Sequence, residues 1–99
     1  MTYRVRYTGA AREDLLRLYE FLLQNDLAAA RGALAAIRKS LLLLQDFPFT
    51  CRKVSPDNPF LREMVIPFGS GGYVALFEIE GEWTVTILAV RHQREEDYH

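Results

Sequence analysis

A chain of 99 residues, 49% hydrophobic and 25% charged, with six Gly and four Pro, has the size and composition of one globular domain and excludes a disordered or low-complexity chain. One cysteine, Cys51, excludes an internal disulfide; no Cys/His cluster has zinc-ligand spacing, and no apolar run reaches the roughly 18 residues that span a bilayer. The net charge of −1 hides nine Lys/Arg against five Asp/Glu in residues 1–53 and three against eight in 54–99, a polarity that suits protein partners better than general nucleic-acid binding.

The charged, alternating start Tyr3-Arg4-Val5-Arg6-Tyr7 is unlike a signal peptide, which points to the cytoplasm as compartment. Its period of two predicts a short half-buried strand with Tyr3, Val5 and Tyr7 on one face and two arginines opposite. Thr8 is placed to cap a helix over about Gly9 to Gln24, with Glu13 and Asp14 near its positive end. Ala11, Leu15, Leu18 and Leu22 form that helix's core stripe. Leu16, Tyr19, Phe21 and Leu23 widen the apolar arc to roughly 220°, where a surface helix needs little more than about 100°. Asn25-Asp26 break and recap the chain for a second helix from about Leu27 to Asp46, with a stripe of Ala30, Leu34, Ile37, Leu41 and Leu44. A second apolar line runs through Ala28, Ala35 and Leu42, with Leu43 and Ala36 beside it. Pro48 forbids continuation, and so short a break makes the two helices an antiparallel hairpin.

From Phe49 to Phe60 the periodicity is lost, and Pro56, Asp57, Asn58 and Pro59 predict an irregular connection. Three strands follow, at Leu61 to Ile66, Tyr73 to Ile79 and Trp83 to Arg91, separated by a turn over Gly69-Ser70-Gly71-Gly72 and a tight turn at Gly81. Tyr73, Ala75, Phe77 and Ile79 share one face. The expected fold is a single α+β domain over residues 1–99: an N-terminal strand, then an antiparallel helical hairpin packed on a three-stranded antiparallel meander, in the order β-α-α-β-β-β.

The densest polar cluster is the tail Arg91-His92-Gln93-Arg94-Glu95-Glu96-Asp97-Tyr98-His99. It reads either as a solvated strand end or as Arg, His and Tyr groups suited to metal-free acid–base and phosphate chemistry. Arg62-Glu63 reads as a further polar candidate, as a structural ion pair, or as strand neighbours pointing to opposite faces. Cys51 has no nearby His to make it a nucleophile, and the 69–72 glycine run lacks the Lys-Ser/Thr helix start of a phosphate loop. No metal or cofactor is implied. The surplus leucines, Leu16, Leu23, Leu42 and Leu43, are either scattered exposed residues or a patch reserved for a protein partner.

In order and spacing, Tyr3-Arg4-Val5-Arg6-Tyr7-Thr8 with Ala11, Asp14 and Leu15, then Leu44-Gln45-Asp46-Phe47-Pro48 and Phe60-Leu61-Arg62-Glu63, resemble the RelE/ParE superfamily of bacterial toxins. Gly72-Tyr73-Val74-Ala75-Leu76-Phe77 and Leu88-Ala89-Val90-Arg91-His92-Gln93-Arg94-Glu95 complete a match that covers nearly the whole chain. RelE-like members cut mRNA on the ribosome without metal, using cations late in the second strand and just after the Gly-Tyr pair. Here those places read Val65, Pro67 and Val74, none of which can donate to a phosphate, at a cost of roughly 3–4 kcal/mol of barrier stabilisation per lost donor.

The resemblance therefore implies the ParE-like mode. This is a non-enzymatic toxin that binds DNA gyrase, is neutralised by a ParD-like antitoxin in a hetero-oligomer, and makes no sequence-specific nucleic-acid contact. The antitoxin surface is expected to include Leu16, Tyr19, Leu23 and Leu42, the helix-in-groove mode; Arg91, His92, Arg94 and Tyr98 are expected to serve toxicity. The alternatives are a RelE-like nuclease using Arg62, His92, Arg94 and Tyr98, and a non-toxic module that only binds antitoxin.

Overall fold

The computed structural model describes residues 2–95. The elements run β1 (Arg4–Tyr7), α1 (Gly9–Leu23), α2 (Leu27–Leu42), two 3-10 turns (Leu43–Gln45 and Pro48–Thr50), β2 (Arg52–Ser55), β3 (Asn58–Phe68), β4 (Gly71–Glu80) and β5 (Thr84–His92). The strands form one sheet in the order β1-β5-β4-β3-β2, with β1 parallel to β5 and every other pair antiparallel. The helices pack on one face of it, giving the α+β architecture and element order expected. Tyr98 lies outside the described residues.

Three boundaries differ from expectation, each for a physical reason. β2 occupies part of the connection expected to be irregular: Arg52 pairs with Glu63 and Lys53 with Arg62, so the antiparallel meander gains a fourth, edge strand. Its single apolar residue, Val54, leaves no alternation to read, and an edge strand tolerates charge. The second helix stops at Leu42, four residues short of Asp46, and tightens into a 3-10 turn that buries Leu44 while Leu42 and Leu43 stay exposed. Gly71 and Gly72 belong to β4, opposite Phe68 and Pro67. A Cβ at Gly72 would run into the Ile66 carbonyl oxygen, so only glycine lets the two strands approach there. Gly81 forms the β4–β5 turn in the left-handed region, φ 59°.

The core lies between the hairpin and the sheet. Leu18, Ile37, Leu41 and Leu44 from the helical layer meet Ile66, Phe77, Val85, Ile87 and Val90 from the strands. Register places Arg62, Met64 and Ile66 beside Phe77, Ala75 and Tyr73 on the helix-covered face. The opposite face carries Glu63, Val65, Pro67, Val74 and Leu76, with Ala89 and Arg91 from β5.

The hairpin is locked to the sheet where β1 runs out. Leu76 pairs with Ala89 and Phe77 with Ile87, so Leu88 is an extra residue in β5 that shifts its phase. Beyond this bulge β1 no longer supplies partners, and the start of α1 replaces it. The Thr8 N–H donates to the Ile87 carbonyl at 3.0 Å. The Thr8 hydroxyl donates to the Leu88 carbonyl at 3.2 Å and accepts from the Ala11 N–H at 3.1 Å. The Val90 N–H donates to Asp14 Oδ2 at 2.9 Å. Asp14 is only 3% exposed and sits in the second turn of α1, past the reach of the helix dipole; its carboxylate serves the sheet instead. Asp14→Ala orphans the buried Val90 donor and is expected to cost about 2–3 kcal/mol in urea unfolding, with Asp14→Asn, which keeps an acceptor, costing less.

Candidate functional site

Two surfaces hold the residues singled out in the sequence. The first is the outer face of the helical hairpin. Asp26 caps α2 by accepting from the Ala28 and Ala29 N–H groups at 2.9 and 3.2 Å, so the chain reverses tightly and the helices lie side by side. Leu16 and Leu42 are each 57% exposed and Leu23 40%, with Tyr19 half-buried between the leucines of α1. Leu16, Tyr19 and Leu23 stand at i, i+3 and i+7 on one stripe of α1, turned away from the buried stripe of Ala11, Asp14 and Leu18. Leu42 is at the far end of α2, where it lines a shallow groove of about 350 Å³ between the helices together with Tyr7, Arg12, Leu15, Ile37 and Arg38. The apolar groups expected to meet a partner thus lie on the hairpin and outside the core.

The second surface is the end of β5. Arg91 Nη1 donates to the Glu95 carbonyl at 2.6 Å and to the His92 carbonyl at 3.3 Å, so this guanidinium shapes its own turn. His92 Nδ1 accepts from the Arg94 N–H at 3.0 Å, and its ring meets the edge of Tyr73 with centroids 5.5 Å apart. Glu95 Oε1 accepts from the His92 N–H at 3.4 Å and pairs with Arg17 on α1 at 3.3 Å, fastening the turn to the helix.

His92, Arg94 and Glu95 form part of the wall of a groove of about 750 Å³ whose floor is Leu18, Phe21, Leu22, Phe68 and Tyr73. Burial pushes the Tyr73 phenol above its ordinary pKa, so it stays protonated at neutral pH. The floor was not anticipated as a unit, since it joins α1 to the β3–β4 turn across 50 residues; the one hint was Phe21, 64% exposed on an over-wide apolar arc.

Val65, Pro67 and Val74, the positions where the resemblance implies cations in a nuclease, sit together on the helix-free face. Val65 pairs directly with Val74, Pro67 with Gly72, and Arg91 stands opposite Val74. Val74 is buried there, and Val65 and Pro67 offer no side-chain donor. Arg62, a residue of the alternative nuclease set, points to the other face and is 8% exposed. Its Nε donates to the Pro59 carbonyl at 2.7 Å and its Nη1 to the Phe49 and Cys51 carbonyls at 3.0 and 2.8 Å, while the guanidinium lies 5.3 Å from the centre of the Phe49 ring. It is a clamp on the segment between α2 and β3, not a group presented to a ligand. Of the readings of Arg62-Glu63, strand neighbours on opposite faces is the one found, with Arg62 buried instead of exposed and Glu63 paired with Arg52 at 3.0 Å across the β2–β3 ladder.

Among the described residues no group of His, Cys, Asp and Glu is arranged to hold a metal, and no helix is long and apolar enough to cross a membrane. Burial raises the Cys51 thiol above its ordinary pKa, partly offset by the Arg62 charge, so little of it is thiolate at pH 8. Cys51 is expected to react with a disulfide reagent at pH 8 more slowly than free cysteine. Arg62→Ala, by releasing the clamped segment and exposing the thiol, is expected to accelerate it by about tenfold in the same stopped-flow measurement.

Comparison with known proteins gives these surfaces a context. Residues 5–97 match the model of a family described as the ParE toxin of the type II toxin–antitoxin system parDE. The chain is 30% identical over 96 residues to Toxin RelE1 of Caulobacter vibrioides, a match that covers 97% of this chain and 99% of that one. Its fold is similar to a chain of the chromosomal ParDE toxin–antitoxin system from P. aeruginosa, with a TM-score of 0.69, 19% identity and coverage of 91% and 95% of the two chains. It is also similar to a chain of the toxin–antitoxin complex RelBE2 from Mycobacterium tuberculosis, with a TM-score of 0.63, 24% identity and coverage of 96% and 95%.

Proposed function

The chain belongs to the ParE toxin family of type II toxin–antitoxin systems, and from that premise we propose that it acts as a protein ligand and not as a nuclease. In the resting cell a ParD-like antitoxin covers the hairpin; released toxin binds DNA gyrase and stalls it with its DNA cleaved. The observation that carries this reading is that Val65, Pro67 and Val74 place carbon at three positions where the resemblance implies cations, while Arg91, opposite Val74, donates to carbonyls of its own turn. The exposed leucines of the hairpin support the antitoxin half, because an unpartnered apolar stripe on an otherwise packed helix suits a helix-in-groove partner. Arg91, His92 and Arg94, with Tyr98 beyond the described residues, are the groups assigned to toxicity, Arg91 by shaping the turn that carries the others.

A second reading, ribosome-dependent mRNA cleavage, is favoured by one observation: the C. vibrioides relative is named Toxin RelE1. A single purified preparation separates the two. Inhibition of gyrase supercoiling, with accumulation of cleaved plasmid, is the expected result. Absence of gyrase binding and inhibition, together with cleavage of mRNA on programmed ribosomes that Arg94→Ala with Tyr98→Phe abolishes, supports the nuclease.

The antitoxin surface makes its own prediction. Leu16→Asp with Leu23→Asp is expected to weaken antitoxin binding by at least about 30-fold in calorimetry. Both side chains are solvent-exposed in the free chain, so the melting temperature is expected to stay within a few degrees. Unchanged affinity places the antitoxin elsewhere.

A further inference from the structure

We propose that the groove between the C-terminal half of α1 and the end of the sheet is a small-molecule site, and that it takes a flat aromatic carboxylate of one or two rings. It is distinct from the leucine stripe of the hairpin and does not depend on the gyrase or antitoxin reading.

One missing side chain makes the space. Ile66, Tyr73 and His92 stand in register on the helix-covered face, and Phe68 stands opposite Gly71 in the next row. Gly71 brings no side chain to that face, and a Cβ there would lie 3.3 Å from His92 Cε1 and Nε2. A notch is left between Phe68 and His92, closed on the helical side by Leu18, Phe21 and Leu22. Its walls are seated from behind. The Phe68 ring packs against Gly32 of α2, where a Cβ would meet it at 3.4 Å, and the Tyr73 ring lies 6.4 Å from that of Phe68 and 5.5 Å from that of His92. The volume of about 750 Å³ falls within the range of small-ligand pockets, and walls made chiefly of rings suit a flat aromatic group.

The polar groups define the other half of the ligand. Tyr73 is buried, yet its hydroxyl has no hydrogen-bond partner among the described residues and is not sealed from solvent, so it opens on the groove that Tyr73 lines. A phenol in that position calls for an acceptor. Burial, with no hydrogen bond opposing it, keeps the phenol protonated as a donor. His92 Nδ1 accepts the Arg94 N–H at 3.0 Å, which places the ring proton on Nε2, the atom beside Gly71. The single acid of the lining, Glu95, is already engaged by Arg17 and by the His92 N–H, and Arg17 and Arg94 add positive charge at the rim. A carboxylate has two acceptor oxygens, one for the phenol and one for the imidazole N–H, and a charge that the rim favours.

The probe is naphthoate, titrated into the full chain and followed by amide NMR shifts. Saturable binding is expected, with the shifts centred on Gly71, Tyr73 and His92. Tyr73→Phe removes only the hydroxyl and is expected to weaken binding about tenfold; naphthylmethanol, which lacks the charge, is expected to bind the wild-type chain about tenfold more weakly than naphthoate. Gly71→Val fills the notch and is expected to abolish binding. Melting temperatures establish that each variant is folded, and Phe21→Ala, at an exposed position, removes a wall without burdening the core and is expected to weaken binding about threefold. Failure of naphthoate to saturate at millimolar concentration, shifts centred elsewhere, or equal affinity of Tyr73→Phe and wild type overturns the site. Equal affinity for naphthylmethanol overturns the carboxylate. Dimers in sedimentation that Phe21→Ala dissolves assign the groove to a second copy, and a blocked acidic tripeptide with a central tryptophan that binds more tightly than naphthoate assigns it to a polypeptide. Either result overturns the small-molecule reading.

Discussion

The buried hydrogen bond from the Val90 N–H to the Asp14 carboxylate sets how the two layers of this protein meet. β1 is four residues long and leaves β5, a central strand, without a strand neighbour on that side beyond Ile87. The Leu88 bulge then turns a new set of backbone groups toward the gap. Thr8 and Asp14 fill it, so the N-terminal half of α1 behaves as the continuation of an edge strand. With one face of α1 committed in this way, its rotation about its own axis is fixed. Leu16, Tyr19 and Leu23 are carried outward as a consequence, and α2 follows because the Asp26 cap allows only a tight reversal.

The disposal of positive charge is the ground on which we propose a protein ligand over a nuclease. A phosphodiester-cleaving site needs cations that are free, convergent and aimed at one place. Here four of the five sheet arginines are held by their own chain. Arg62 holds the Phe49–Cys51 segment, Arg91 shapes the C-terminal turn, Arg52 pairs with Glu63, and Arg6 reaches both Thr86 and Glu80. Between them lie exposed Val65 and, paired with it, buried Val74. The hairpin carries Arg12, Arg31, Arg38 and Lys39 beside its exposed leucines.

Local pattern was enough to read most of the elements. The alternation of Tyr3–Tyr7, the stripe of Ala11, Leu15, Leu18 and Leu22, and the Tyr73–Ile79 face are each set by neighbours a few residues apart, and each is found where periodicity puts it. What was not legible depends on distant partners. β2 exists because Glu63 and Arg62 pair with it from the far side of a turn. Asp14 looks like a helix-dipole residue until β5 is known to lack a partner for Val90. Arg62 looks like a candidate for chemistry until the Pro59, Phe49 and Cys51 carbonyls fold around it. The surplus leucines were visible as excess; that they lie outside the core depends on how far the hairpin is turned about the sheet.

Side-chain solvent access, measured by hydroxyl-radical footprinting of the chain alone and in complex with its antitoxin, tests the assignment of the hairpin face most directly. Oxidation of Leu16, Tyr19, Leu23 and Leu42 is expected to fall sharply on complex formation, with Val65 on the helix-free face serving as the internal reference. Undiminished oxidation of the hairpin residues in a stable complex would contradict it.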